Sequence, residues 1–208
     1  MNNKYRSLAK DTALFAISNF GSKILLFLLT PLYTAVLTTK DYGIADLINT
    51  TILFVYPVLT LAIADATLRF ALDENESKSE VMCCSILFTM ISALALILLY
   101  PCGKFIDTEL SEYFNYFVIT YILFNINNCF ANFIKGIGKT SLFALQGILQ
   151  TLAIVISNIL LLVIFKVGLR GYLISIIIGY IVPVIVVFFA ISATGTIIST
   201  VSASLMVV

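Results

Sequence analysis

Histidine does not occur once in this chain. Its absence removes the side chain that most often serves as a general base near neutral pH, and the commonest metal ligand. Charge is scarce as well: Asp, Glu, Lys and Arg make up 11% of the 208 residues and nearly cancel, to a net +1. A field that weak does not hold a nucleic-acid backbone, so no nucleic-acid partner is expected. Cysteine is limited to Cys83, Cys84, Cys102 and Cys129. Two are adjacent at the head of an apolar run and none has CxxC or zinc-site spacing, so they read as small apolar packing residues. No Walker, GxGxxG or GxSxG element is present, which leaves nucleotide and acyl-transfer chemistry without its usual scaffold. The chain is not expected to be an enzyme, and neither a cofactor nor a metal is expected.

Apolar sequence fills the space that charge leaves. Hydrophobic residues make up 61% of the chain and the mean hydropathy is +1.08, values foreign to a soluble domain. Six nearly uncharged stretches can be drawn: Thr12–Leu37, Tyr42–Ala64, Val81–Tyr100, Phe114–Ile134, Ser141–Phe165 and Tyr172–Ile191. An apolar helix of about 20 residues matches the roughly 30 Å hydrocarbon core of a bilayer. The expected fold is therefore all-α, a polytopic membrane protein with a six-transmembrane-helix bundle over residues 1–191. Residues 192–208 form an uncharged tail. Lys4, Arg6 and Lys10 precede the first run as they would in a signal peptide. That run is too long for an h-region, so it is expected to stay as an uncleaved helix.

Polar segments punctuate the spans. Thr38-Thr39-Lys40-Asp41 makes a hairpin, and the charged Asp73–Glu80 segment cannot lie in hydrocarbon. Pro101–Glu112, Lys135–Lys139 and Lys166–Gly171 separate the later helices. With the amino terminus in the cytoplasm, inner segments hold seven Lys and Arg residues against four in the outer ones. The positive-inside rule then favours a cytoplasmic amino terminus. Gly171 to Val208 carry no charge, and as one helix would run about 57 Å at 1.5 Å per residue. A break near Ser192–Gly195 is expected, and the missing cationic anchor reads as a chain that stops early.

Polar residues inside the spans are the candidates for function. A mid-membrane ammonium such as Lys23 costs about 2.5–3.5 kcal/mol on insertion scales. Thr12, Asn19, Lys23 and Thr30 fall within about 40° of one another on a helical wheel, a polar stripe on a greasy helix. It reads either as the lining of a water-filled cavity, with Lys23 facing an anion, or as a paired or snorkelling lysine. Tyr121, Asn125, Asn128 and Asn132 share a sector of about 60° in the fourth span, where cavity lining and interhelical hydrogen bonding stand level. Gln146, Gln150 and Asn158 in the fifth span spread wider and read as interhelical glue. Asp65 and Arg69, four apart, are placed for an ion pair. Pro57 and Pro183 each remove a helical hydrogen bond and invite a kink.

Several local sequences, in order, resemble the amino-terminal half of a polysaccharide-transport (Wzx-type) flippase, within the multidrug/oligosaccharidyl-lipid/polysaccharide exporter superfamily. They are Asn19-Phe20-Gly21-Ser22-Lys23, Pro31-Leu32-Tyr33, Asp41-Tyr42-Gly43-Ile44, Leu68-Arg69-Phe70, and Lys135-Gly136-Ile137-Gly138-Lys139 before Phe143-Ala144. The likeness covers about residues 5–180. It implies one lobe of a two-lobe exporter, with a second lobe or second copy as partner. It also implies a bacterial cytoplasmic (inner) membrane location and the transport of oligosaccharide linked to undecaprenyl diphosphate, for surface polysaccharide such as O-antigen. Cavity cations would meet the diphosphate, and Lys23 and Arg69 are the residues carried over for that role. With Asn19, Asn125, Asn128 and Asn132 they make the expected substrate cavity. Two other readings compete: a drug/cation antiporter, which usually needs a mid-span carboxylate this chain lacks, and a non-transporting membrane fragment or partner.

Overall fold

The computed structural model describes residues 23–24, 27–73, 75–103 and 112–193. Among them the chain is predominantly helical, with no strand. A short apolar helix, α1 (Phe27–Val36), represents the first span; Thr12 and Asn19 lie outside the described residues. Then come α2 (Thr39–Leu59), α3 (Ile63–Leu72), α4 (Lys78–Gly103), α5 (Phe114–Gly136), α6 (Thr140–Asn158) and α7 (Leu169–Ala193). α6 runs straight into a π-helical turn, Ile159–Ile164. Five segments are long and apolar enough to cross a membrane: α2, α4, α5, α6 with its π turn, and α7. The chain is an all-α, multi-pass membrane-type bundle.

Local chemistry sets the ends. Thr38 accepts the Asp41 backbone N–H at 3.1 Å and its hydroxyl donates to Asp41 Oδ2 at 2.7 Å. The cap meets one orphan N–H, and Asp41 places negative charge at the positive end of the α2 dipole. Gly138 and Gly168, at φ of +74° and +68°, turn the chain after α5 and before α7, a conformation only glycine takes without strain.

One expected span is divided. The continuous helix anticipated over Tyr42–Ala64 stops at Leu59, turns at Thr60–Ala62 and resumes as α3. Pro57 removes a hydrogen bond, yet the helix continues past it by two residues. The break falls where Leu61 and Ala62 take φ of +50° and +55°, each a strained conformation for a residue with a Cβ. Thr60 closes the end of α2 by donating from both its N–H and its hydroxyl to the Tyr56 carbonyl.

α5 lies at the centre, packed on α3, α4, α6, α7 and α2. One apolar cluster joins Ala71, Val81, Phe133, Ile134, Val187 and Ile191; a second, at the other end, joins Ile48, Ile52, Leu96, Phe117 and Leu173. These pairings make α2, α5 and α7 parallel to one another and α4 antiparallel to them. Small residues allow the closest crossings, as expected where lipid removes the hydrophobic reason for helices to associate. A Cβ on Gly136 would overlap the Ala71 methyl, and one on Gly179 would overlap Ile154 Cγ1.

Candidate functional site

Buried amides and hydroxyls tie the helices together, and they show which polar residues are already spoken for. Asn158, fully buried at the α6–π junction, donates to Tyr33 Oη of α1 at 3.0 Å and to the Ile154 carbonyl at 2.9 Å. Its Oδ1 accepts from Ser175 of α7 at 2.8 Å. Tyr33 packs edge-on against Tyr172, ring centroids 4.9 Å apart, and Tyr172 Oη accepts from Asn49 of α2 at 3.0 Å. One connected thread therefore holds α1, α2, α6 and α7. A second joins α5 to α6: Gln146 Nε2 donates to Asn127 Oδ1 at 2.9 Å, and Asn127 Nδ2 donates to Gln150 Oε1 at 3.0 Å. A third joins Thr67 of α3 to Ser85 of α4.

The expected substrate-cavity residues separate into groups. Lys23 has helical backbone and an exposed side chain, and Asn19 lies outside the described residues. Arg69 is exposed at the last turn of α3. Among the described residues it forms no ion pair with Asp65, contrary to the pairing that the four-residue spacing predicts. Arg170 does pair with Glu112, at 2.8 Å and exposed. Asn125 is fully buried and donates to the Tyr121 carbonyl within its own helix at 2.8 Å. Asn132, half-buried, donates to the Ala64 carbonyl of α3 at 2.9 Å. Lys135 Nζ lies 3.4 Å from Asn132 Oδ1 and 4.3 Å from the centroid of the Phe143 ring. Asn128 is half-buried and makes no hydrogen bond among the described residues. In this stripe Asn132 is interhelical glue, and Asn125 keeps a buried Oδ1 with no hydrogen-bond partner among the described residues.

A cleft of about 180 Å³ opens between α2, α5 and α7, lined by Asn49, Ile52, Leu53, Thr120, Phe124 and Tyr180. Asn49 is the midpoint of α2 and Tyr180 lies near the midpoint of α7. Thr120 is 2% exposed, and its hydroxyl has no hydrogen-bond partner among the described residues. Such an orphan costs about 1–3 kcal/mol unless water or a ligand meets it. Phe124 stands edge-on to Tyr180, centroids 5.8 Å apart. A larger hollow of about 300 Å³ lies between α3 and α4, but its buried hydroxyls, Thr67 and Ser85, bond to each other. The smaller cleft is the one with a polar group awaiting a partner.

Asn49, Thr120 and Tyr180 carry no repeating signal of their own, because each comes from a different helix. Asn49 does stand in register with Tyr42, Asp46 and Tyr56, at i−7, i−3 and i+7 along α2, a polar line that helical spacing reveals. Among the described residues no group of His, Cys, Asp or Glu is arranged to hold a metal ion. No protein-family model, curated protein or solved structure matches the chain.

Proposed function

We propose that the chain is one lobe of a flippase that moves lipid-linked oligosaccharide across the bacterial cytoplasmic membrane for surface polysaccharide synthesis, with its amino terminus in the cytoplasm. The observation that carries the reading is the cleft at mid-span, with its unpartnered Thr120 hydroxyl and the Asn49 amide among apolar helices. A hydroxyl-rich headgroup crossing hydrocarbon loses its hydrogen bonds to water, at about 4–8 kcal/mol for each uncompensated hydroxyl on cyclohexane scales. Amides and hydroxyls at mid-depth lower that barrier. The resemblance to polysaccharide-transport flippases supports the same assignment. In this scheme Lys23 attracts the diphosphate while the polyprenyl tail stays in lipid. Two lobes rocking about a shared cavity provide alternating access; a second lobe, whatever chain supplies it, forms the opposite wall.

The test is genetic and chemical together. Deleting the gene in a strain that makes surface glycan is expected to abolish polymer and accumulate undecaprenyl-diphosphate-linked units. Wild type restores export, and Lys23→Gln does not, although it inserts normally. Unchanged polymer with no accumulated intermediate overturns the proposal.

A further inference from the structure

The chemistry of the mid-span cleft selects among ligands more sharply than its depth does. Its lining has one amide, two hydroxyls, one phenyl ring and two aliphatic side chains, and no ionisable acid or base other than the phenol. Asn49 spends one N–H on Tyr172 and keeps the second N–H and Oδ1. Thr120 offers both a donor and an acceptor, and the Tyr180 hydroxyl makes no hydrogen bond among the described residues. Three mixed donor–acceptor groups beside an aromatic face match a ring that presents hydroxyls at its edge and C–H groups on its faces. The volume, about 180 Å³, far exceeds the roughly 10–15 Å³ that one water needs.

Charge points the same way. One turn before Asn49 stands Asp46, exposed on α2. A carboxylate or phosphate entering the cleft would meet no cation in its lining and a negative charge beside it, and an unpaired buried anion is strongly disfavoured. We propose that the cleft between α2, α5 and α7 is a subsite for an uncharged, polyhydroxylated sugar ring, and that it discriminates against acidic sugars. This rests on the flippase reading for its physiological ligand. The subsite chemistry itself can be measured without transport.

Full-length protein in nanodiscs is presented with methyl glucoside or methyl glucuronide, and binding is read by saturation-transfer NMR. Separately, proteoliposomes are loaded with polyprenyl-diphosphate carriers that end in a neutral hexose or in a uronic acid, and flipping is followed. Wild type is expected to bind the glucoside at least tenfold more tightly than the glucuronide and to flip the neutral carrier preferentially. Thr120→Val, nearly equal in shape, is expected to weaken glucoside binding about fivefold, the loss of one hydrogen bond. Thr120→Ser, which keeps the hydroxyl, restores most of it and guards against a folding defect. Equal binding of both glycosides, or undiminished binding by Thr120→Val, overturns the subsite. Glucoside binding that depends on Thr120, with no carrier flipped, upholds the subsite and rejects the transport reading. Flipping that ignores Thr120 does the reverse.

Discussion

Replacing Gly136 by alanine tests whether the α3–α5 crossing is as tight as it looks. A Cβ there would overlap the Ala71 methyl and lie 3.1 Å from both the Leu68 carbonyl oxygen and the Ala71 carbonyl carbon. Ala71 is 1% exposed, and a methyl has no rotamer by which to retreat. Carbon atoms rest at about 3.5–4.0 Å, so the two helices must part by on the order of 1 Å. Overpacking of this kind costs roughly 1–3 kcal/mol. Alanine regains at most about 1 kcal/mol of helix propensity over glycine, and less at the last residue of α5. The expected net loss is about 1–2 kcal/mol, read by SDS titration of the purified protein against far-UV circular dichroism. Gly43→Ala is the control: an added Cβ there meets nothing within 4 Å, so that variant should be as stable as wild type or slightly more so. Adding Ala71→Gly to Gly136→Ala vacates the overlapping methyl and should recover much of the deficit. If Gly136→Ala matches wild type, or if Ala71→Gly recovers nothing, the crossing is looser than described and the reasoning fails.

Three further outcomes can be checked with the same titration. Leu61→Gly and Ala62→Gly should each stabilise the protein by up to about 1 kcal/mol, because glycine takes positive φ without strain; a loss at both positions would mean that their side chains hold the joint. Asn158→Leu should lower stability by about 1–3 kcal/mol, since it strands the Tyr33 hydroxyl and leaves Ser175 only the Tyr172 carbonyl as acceptor, and Tyr33→Phe by less; a neutral Asn158→Leu would show that the thread contributes no rigidity. Glu112→Gln should shift stability by no more than about 0.5 kcal/mol, because both partners of the Arg170 pair are 59% exposed; a larger shift would make that pair a structural clamp.

Hydropathy made the long helices legible. The apolar stretch Phe114–Ile134 became α5, Phe114–Gly136, and Ser141–Phe165 became α6 with its π turn, Thr140–Ile164. The break inside Tyr42–Ala64 was not legible, because neither Leu61 nor Ala62 is a residue that ordinarily turns a chain. Tertiary contacts impose it: Asn132 holds the Ala64 carbonyl and Gly136 admits Ala71, which together fix where α3 must lie. The polar stripe of α5 was visible on the helical wheel, but a wheel cannot say which neighbour fills the facing space. For Asn132 that neighbour is α3. The cleft has no signature in the sequence for the opposite reason, since Asn49, Thr120 and Tyr180 meet only when three helices are assembled. The π turn left no trace either, because Ile159–Ile164 is uniformly aliphatic.

The thread through Asn158 bears on how the bundle finds its order of neighbours. Acyl chains are as greasy as leucine, so burying aliphatic surface gives one apolar rod little reason to prefer another. A handful of amides and hydroxyls, roughly one per rod, thus acts as an address code for assembly. Moving Asn158 a single position along α6 would swing its amide about 100° around the axis and send it toward the wrong partner, while the hydropathy profile stayed the same.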